Sequence, residues 1–296
     1  MPWQMACSEI ATQRGVIMQQ AIVIAPKAIL YESVIMKNHC LVAQNVSDEL
    51  LSGWLLTVTE CQGDFLKIIT HYGYTGWIKA KDVHRISEEE YGLWNIRSGS
   101  LLLLTQRLTD VLSFPKVQAP VNTTLFMGST VIPLGGRKDG WQKVRLADNT
   151  TGYVPAIALT ASPSAAASQT ELRSCIINYA LSYLGTQYRW GGKTHEGIDC
   201  SGLTFMSYFM CGILIYRDAS IQKGYPVREI PRSQIKPADL LYFPGHIALY
   251  LGNDKYIHAT GNLNSYGCVI NSLDSRDMDY RADLAESLYA VGSVFC

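Results

Sequence analysis

No stretch of eighteen consecutive apolar residues occurs in the 296-residue chain, so no segment reads as a membrane-spanning helix. Net charge of either sign is also missing. The 25 basic residues balance 25 acidic ones, which removes the electrostatic ground for a nucleic-acid or anionic-surface partner. The first 25 residues hold no basic start followed by an apolar block: Gln4, Ser8, Glu9, Gln13 and Arg14 interrupt every candidate, and no secretory signal is read there. The eight cysteines, at 7, 40, 61, 175, 200, 211, 268 and 296, contain no Cys-x-x-Cys pair and no regular spacing. That argues against a zinc site built from close ligand pairs and against a disulfide-stapled secreted domain. Free thiols in a cytoplasmic setting, with no metal and no cofactor, are the expectation.

What is present is a folding composition. Hydrophobic residues make up 48% and charged residues 17%, and the length suffices for two or three domains. The small, faceless run Ala161-Ser162-Pro163-Ser164-Ala165-Ala166-Ala167-Ser168 marks a linker over 161–170.

Ahead of the linker the chain is β-rich, with short runs at Ala21–Ile24, Leu55–Val58 and Leu66–Thr70 bounded by turn residues. It also repeats. Gly63-Asp64-Phe65-Leu66-Lys67-Ile68 matches Asp139-Gly140-Trp141-Gln142-Lys143-Val144, and Gly76-Trp77-Ile78 follows the first at the spacing with which Gly152-Tyr153-Val154 follows the second. An aromatic strand, a tight turn and Gly-aromatic-Val/Ile resemble the bacterial SH3-like barrel. Two such barrels are expected, at 18–90 and 95–160, with Trp77 and Trp141 in their cores.

Past the linker the period changes. Apolar residues at 172, 176, 177, 180, 181 and 184 predict a helix over Glu171–Leu184, capped by Thr170 and stopped by Gly185. A second helix is expected from Cys200 to about Met210. Strands are expected at Leu240–Phe243, His246–Leu251, Lys255–Ala259 and Leu288–Phe295. Helices first and strands after describe an α+β domain over 171–296.

The chemistry concentrates there. Tyr188-Arg189-Trp190-Gly191-Gly192 leads to Asp199-Cys200-Ser201-Gly202, which puts a cysteine on the first turn of a helix, where the macrodipole and free N–H groups favour a thiolate. A lone cysteine is more often a packing residue, the reading given to Cys175, Cys211 and Cys268. Cys200 differs in having two histidines downstream, in Gly245-His246-Ile247-Ala248-Leu249-Tyr250 and Tyr256-Ile257-His258-Ala259. A thiol needs a base, and the base needs an orienting group. Side chains alternate faces along a strand, so His246 and His258 share a face only if an odd-length loop or a bulge joins their strands near Gly252-Asn253-Asp254 and pairs Ala248 with His258. His195 reads as a solvated loop residue.

These motifs, with Pro237-x-Asp239-Leu240-Leu241-Tyr242-Phe243 between them, resemble the NlpC family of papain-like cell-wall cysteine peptidases over about 170–296. The resemblance implies Cys200 as nucleophile, His246 as general base, His258 as the residue orienting it, and Tyr188 with the Cys200 N–H at the oxyanion. Asp199 and Ser201 would flank a γ-D-glutamyl group, with Trp190 beside them. The bond implied is that between D-glutamate and diaminopimelate or lysine in murein peptides. Members with SH3-like domains ahead of the catalytic one accept free peptides with an unblocked L-alanine. For that, Asp218 and Ala219 in Arg217-Asp218-Ala219-Ser220, together with Tyr74, are the candidates. Where that subgroup often carries a glutamate for the amine, this chain has Trp54, with Glu49 and Glu60 as the nearby acids. An amidase or acyltransferase on another amide, or an inactive wall-binding module, are the alternative functions. Oligomeric state is not legible.

Overall fold

The computed structural model describes residues 18–95, 98–161 and 168–295. The chain divides into two compact units, at 1–162 and 163–296. The division falls inside the expected linker, of which 162–167 lies outside the described residues.

The N-terminal unit realises the repeat strand for strand. The first copy comprises Gln19–Val23, Lys27–Lys37, Cys40–Leu51, Leu55–Gln62, Phe65–Thr70, Thr75–Lys79 and Val83–Arg85. The second comprises Leu102–Leu104, Leu108–Leu112, Val121–Phe126, Thr130–Lys138, Trp141–Arg145, Thr151–Pro155 and Leu159–Ala161. Each copy forms a seven-stranded sheet, and counted within its copy each has the order third, second, sixth, fifth, fourth, first, seventh. Among the described residues the third and seventh strands stay unpaired edges, so neither sheet is closed by a hydrogen-bonded ladder. The repeated glycines have one physical cause. A Cβ on Gly76 would meet the Tyr31 carbonyl at 2.7 Å, and one on Gly152 would meet the Val111 side chain at 2.5 Å and the Leu112 carbonyl at 3.0 Å, because in both copies the second strand crosses close by there.

The two copies share a core, a contact that local sequence pattern does not indicate. Ile22, Leu55 and Ile86 of the first pack with Trp94, Leu101 and Ala147. Trp54 seals the seam: it is buried, its indole N–H donates to the Gly128 carbonyl at 2.9 Å, and its ring meets His71 and Tyr72 edge-on. Trp77 is buried as expected, whereas Trp141 is only half-buried.

The C-terminal unit opens with the helix Gln169–Ser182, capped by Ser168 rather than Thr170. Ser168 and Glu171 form a reciprocal capping box. The helix Cys200–Phe209 follows, and all ten of its residues are buried; the Thr204 and Ser207 hydroxyls donate back to the Ser201 and Leu203 carbonyls. It packs against the preceding helix and against the strands carrying His246 and His258. Those belong to a six-stranded antiparallel sheet in the order Arg228–Ile230, Ala290–Ser293, Leu240–Phe243, His246–Gly252, Lys255–Thr260, Gly267–Ser272. The first and last of these strands in that order, and the short helix Ala282–Ser287, are additions to the elements expected from the sequence.

Candidate active site

The nucleophile helix is held at its N-terminus by a buried polar cluster. Asp199 is the N-cap. Its Oδ1 accepts the Gly202 N–H at 2.5 Å and its Oδ2 the Gly191 N–H at 2.8 Å. Arg217, only 2% exposed, donates to both carboxylate oxygens at 3.2 and 3.0 Å and to Ser201 Oγ at 2.6 Å. Ser201 in turn donates to Asp199 Oδ1 at 3.3 Å. The side chains of Asp199 and Ser201, expected beside substrate, are thus turned into a network that fixes where Cys200 sits. Gly202 completes it: a Cβ there would lie 2.1 Å from the Gly192 carbonyl, so the Trp190-Gly191-Gly192 loop can press on the helix only over glycine.

Cys200 is 7% exposed, and its sulfur takes the backbone N–H groups of Ile247 and Ser201. The expected dipole-stabilised thiolate is not what this setting favours. Burial, and then the Asp199 carboxylate, push the thiol up to about 11; the two N–H groups and Arg217 oppose this without overcoming it. Burial, and then His258, lower His246 to about 3, and burial lowers His258 to about 4. The thiol and both imidazoles are therefore neutral at rest.

The two histidines meet as the face argument required. Asn253 and Asp254 form a two-residue turn with positive φ at both positions (51° and 58°), and a bulge between Tyr250 and Gly252 supplies the odd residue. Leu249 pairs with Ile257, so continuing the register one step sets Ala248 opposite His258. His246 Nε2 and His258 Nδ1 are 2.7 Å apart, and His258 Nε2 lies 2.8 Å from Asn271 Oδ1 on the next strand. Asn271 carries no motif that marks it in the sequence. His258 pairs with Val269, which makes Asn271 its diagonal neighbour on the same face.

A pH dependence follows from the lowered histidines. A base that stays neutral well below its ordinary value leaves kcat/KM at pH 5 within about two-fold of that at pH 7. An acid limb centred near the ordinary imidazole value would contradict the burial argument. Stability moves in the same direction. The unfolded chain binds protons on these histidines below about pH 6.5 and the folded chain does not, so their contribution is complete above that value and is lost as pH falls toward 4. Thermal melts between these pH values measure it.

Tyr188 is half-buried, and burial, Cys200 and Asp199 all push its hydroxyl well above the ordinary range, so it remains a donor close to the sulfur. Tyr266 donates to its backbone carbonyl at 2.9 Å. Asp218 is half-buried and accepts a hydrogen bond from Tyr216. Ala219 is half-buried beside it, while Trp190 is 65% exposed. Tyr74 belongs to the N-terminal unit, where it stacks on Tyr72. Glu49 is buried and paired with Lys27 at 3.0 Å, and Glu60 is an exposed partner of Lys67. His195 is not a solvated loop side chain: it is half-buried and stacked on Tyr183 at 4.0 Å. Cys211 and Cys268 are buried, and Cys175 is half-buried. Cys61 is disulfide-bonded, so the expectation of uniformly free thiols fails there. Among the described residues no cluster of three or more His, Cys, Asp or Glu could hold a metal.

A cysteine on the first turn of a buried helix, against the strand that carries a paired histidine, defines a cysteine peptidase of α+β fold. The sequence profile of the NlpC/P60 family matches residues 185–283. A Lysinibacillus sphaericus protein named dipeptidyl-peptidase 6 is 38% identical over 255 residues, covering 84% of this chain and 92% of its own. A Bacillus cereus gamma-D-glutamyl-L-lysine dipeptidyl-peptidase is 24% identical over 240 residues, covering 73% of this chain and 68% of its own. The crystal structure of an NlpC/P60 family protein from Bacillus cereus shares the fold, with a TM-score of 0.73 at 19% identity over 92% of this chain and 98% of that one. The chain belongs to the NlpC/P60 family.

Proposed function

We propose that this peptidase hydrolyses the γ-D-glutamyl–diamino acid bond of short murein peptides, with lysine or diaminopimelate on the leaving side. The observation that carries the reading is the chain from Cys200, seated against the Ile247 N–H, to the adjoining His246, His258 and Asn271. Sulfur attacks the γ-carbonyl while His246 takes its proton. The tetrahedral oxygen is met by the Tyr188 hydroxyl and the Cys200 N–H. His246 then gives the proton to the departing amine, and water, activated by the same imidazole, clears the thioester. Asp218, with Ala219 alongside, is the carboxylate that would pair with a free N-terminal ammonium. Trp190, largely exposed, is an aromatic surface for the rest of the peptide. The name of the Bacillus cereus relative supports the choice of bond.

The test is mass spectrometry of products from L-Ala-γ-D-Glu-L-Lys, from its diaminopimelate counterpart, and from both with the amine acetylated. Release of L-Ala-D-Glu from the free peptides, and little from the capped ones, is expected. Cleavage of an unrelated amide with these peptides left intact would overturn the reading.

A further inference from the structure

Asn271 closes the chain behind His258, and the catalytic steps above give it no task of its own. It is buried, and its three hydrogen bonds run in one direction. Its Nδ2 donates to the Asp279 backbone carbonyl at 2.8 Å, and a carbonyl can only accept. That fixes the side-chain amide, so Oδ1 is the atom turned toward His258 Nε2, 2.8 Å away, and toward the Ser265 hydroxyl, 3.1 Å away. An amide oxygen cannot donate, so both neighbours must.

We infer that Asn271 is a positioning residue that sets the tautomers of both histidines, and through them makes Nδ1 of His246 the nitrogen that takes the Cys200 proton. Donation from His258 Nε2 leaves Nδ1 of that neutral ring as a bare lone pair. His246 Nε2, 2.7 Å from it, must then carry a hydrogen. The proton of neutral His246 is therefore on Nε2, and its lone pair is on Nδ1. One backbone carbonyl thus orders three side chains in series. The order survives the chemical step, because an imidazolium at His246 still donates through Nε2. Ser265, at the end of the short turn Leu263–Ser265, supplies a second donor to Oδ1 and so resists rotation of the amide. The inference rests on His246 being the base.

The direct test is nitrogen-15 NMR of the histidine rings in the wild-type enzyme at neutral pH. His258 and His246 are both expected as Nε2–H tautomers; a dominant Nδ1–H form of either overturns the proposal. The second test compares Asn271→Ala with Asn271→Asp. Alanine removes the acceptor, and kcat is expected to fall about 10-fold or more with KM little changed, the pattern of an incorrectly held tautomer. Both rings should then show mixed tautomers. Aspartate keeps an acceptor facing His258, so it should keep the Nε2–H forms and recover most of the lost kcat. Equal losses in the two variants with unchanged tautomers would mean that Asn271 merely packs. His246→Ala separates the two levels: an active His246→Ala enzyme removes the base itself, whereas an inactive one beside a fully active Asn271→Ala removes only the role of Asn271.

Discussion

Replacement of Cys200 by alanine is expected to lower kcat/KM by roughly 10⁴- to 10⁶-fold, the range seen when a covalent nucleophile is deleted. No neighbouring group can stand in for it. Tyr188 keeps its proton because burial and the adjacent Cys200 and Asp199 disfavour its anion, and the side chains of Asp199 and Ser201 are bound to each other and to Arg217. The fold should tolerate the change. The sulfur accepts two backbone N–H groups and no side-chain bond depends on it, and alanine is the best helix former. Unchanged circular dichroism with lost peptide cleavage is the anticipated pair of readouts. Cys211→Ala and Cys268→Ala, which alter buried thiols with no part in the chemistry, should retain activity. A Cys200→Ala enzyme that cuts at wild-type speed would remove this sulfur from the reaction.

Arg217→Met is expected to destabilise the chain by roughly 3–5 kcal/mol, the cost of leaving a buried carboxylate without its partner. Arg217 and Asp199 are both buried and their fork is bidentate, so solvent does little to screen them. Asp199→Asn in the same background should recover part of it, since an uncharged amide oxygen can still accept the Gly202 N–H. Chemical denaturation of the single and double variants gives the coupling. Activity should fall along with stability, because the same fork locates the first turn of the nucleophile helix. A single variant as stable as wild type would show that the Gly191 and Gly202 N–H groups suffice to hold Asp199.

Much of the fold and of the site is legible in local sequence pattern. The Phe65–Gly76 and Trp141–Gly152 spacings announce two copies of one β unit, and both copies have the same strand order. Face alternation alone requires a loop irregularity between His246 and His258, and the bulge at Leu251 supplies it. Contacts between distant segments are the illegible part. Nothing in Arg217-Asp218 says that its guanidinium reaches back to Asp199. Asn271 joins the histidines only once the register of a third strand is known, which period-two alternation cannot fix. The capping box explains why the first helix starts at Ser168: its serine–glutamate pair satisfies two N–H groups, where Thr170 has no acid at the same offset. The largest departure from expectation is electrostatic. A helix terminus stabilises a thiolate only by the modest energy of its dipole, and the burial of Cys200 outweighs that. Burial of a residue in the first turn depends on what packs over it, and the local sequence does not state that.

Covalent catalysis by Cys200 implies one acyl-enzyme for every substrate with the same acyl part. Two γ-D-glutamyl peptides that differ only in the leaving amine should therefore be cleaved in the presence of hydroxylamine, and the ratio of hydroxamate to free acid measured for each. Identical ratios are expected, because both substrates pass through the same thioester before water and hydroxylamine compete for it. Ratios that follow the leaving amine would mean that bond cleavage occurs without that intermediate.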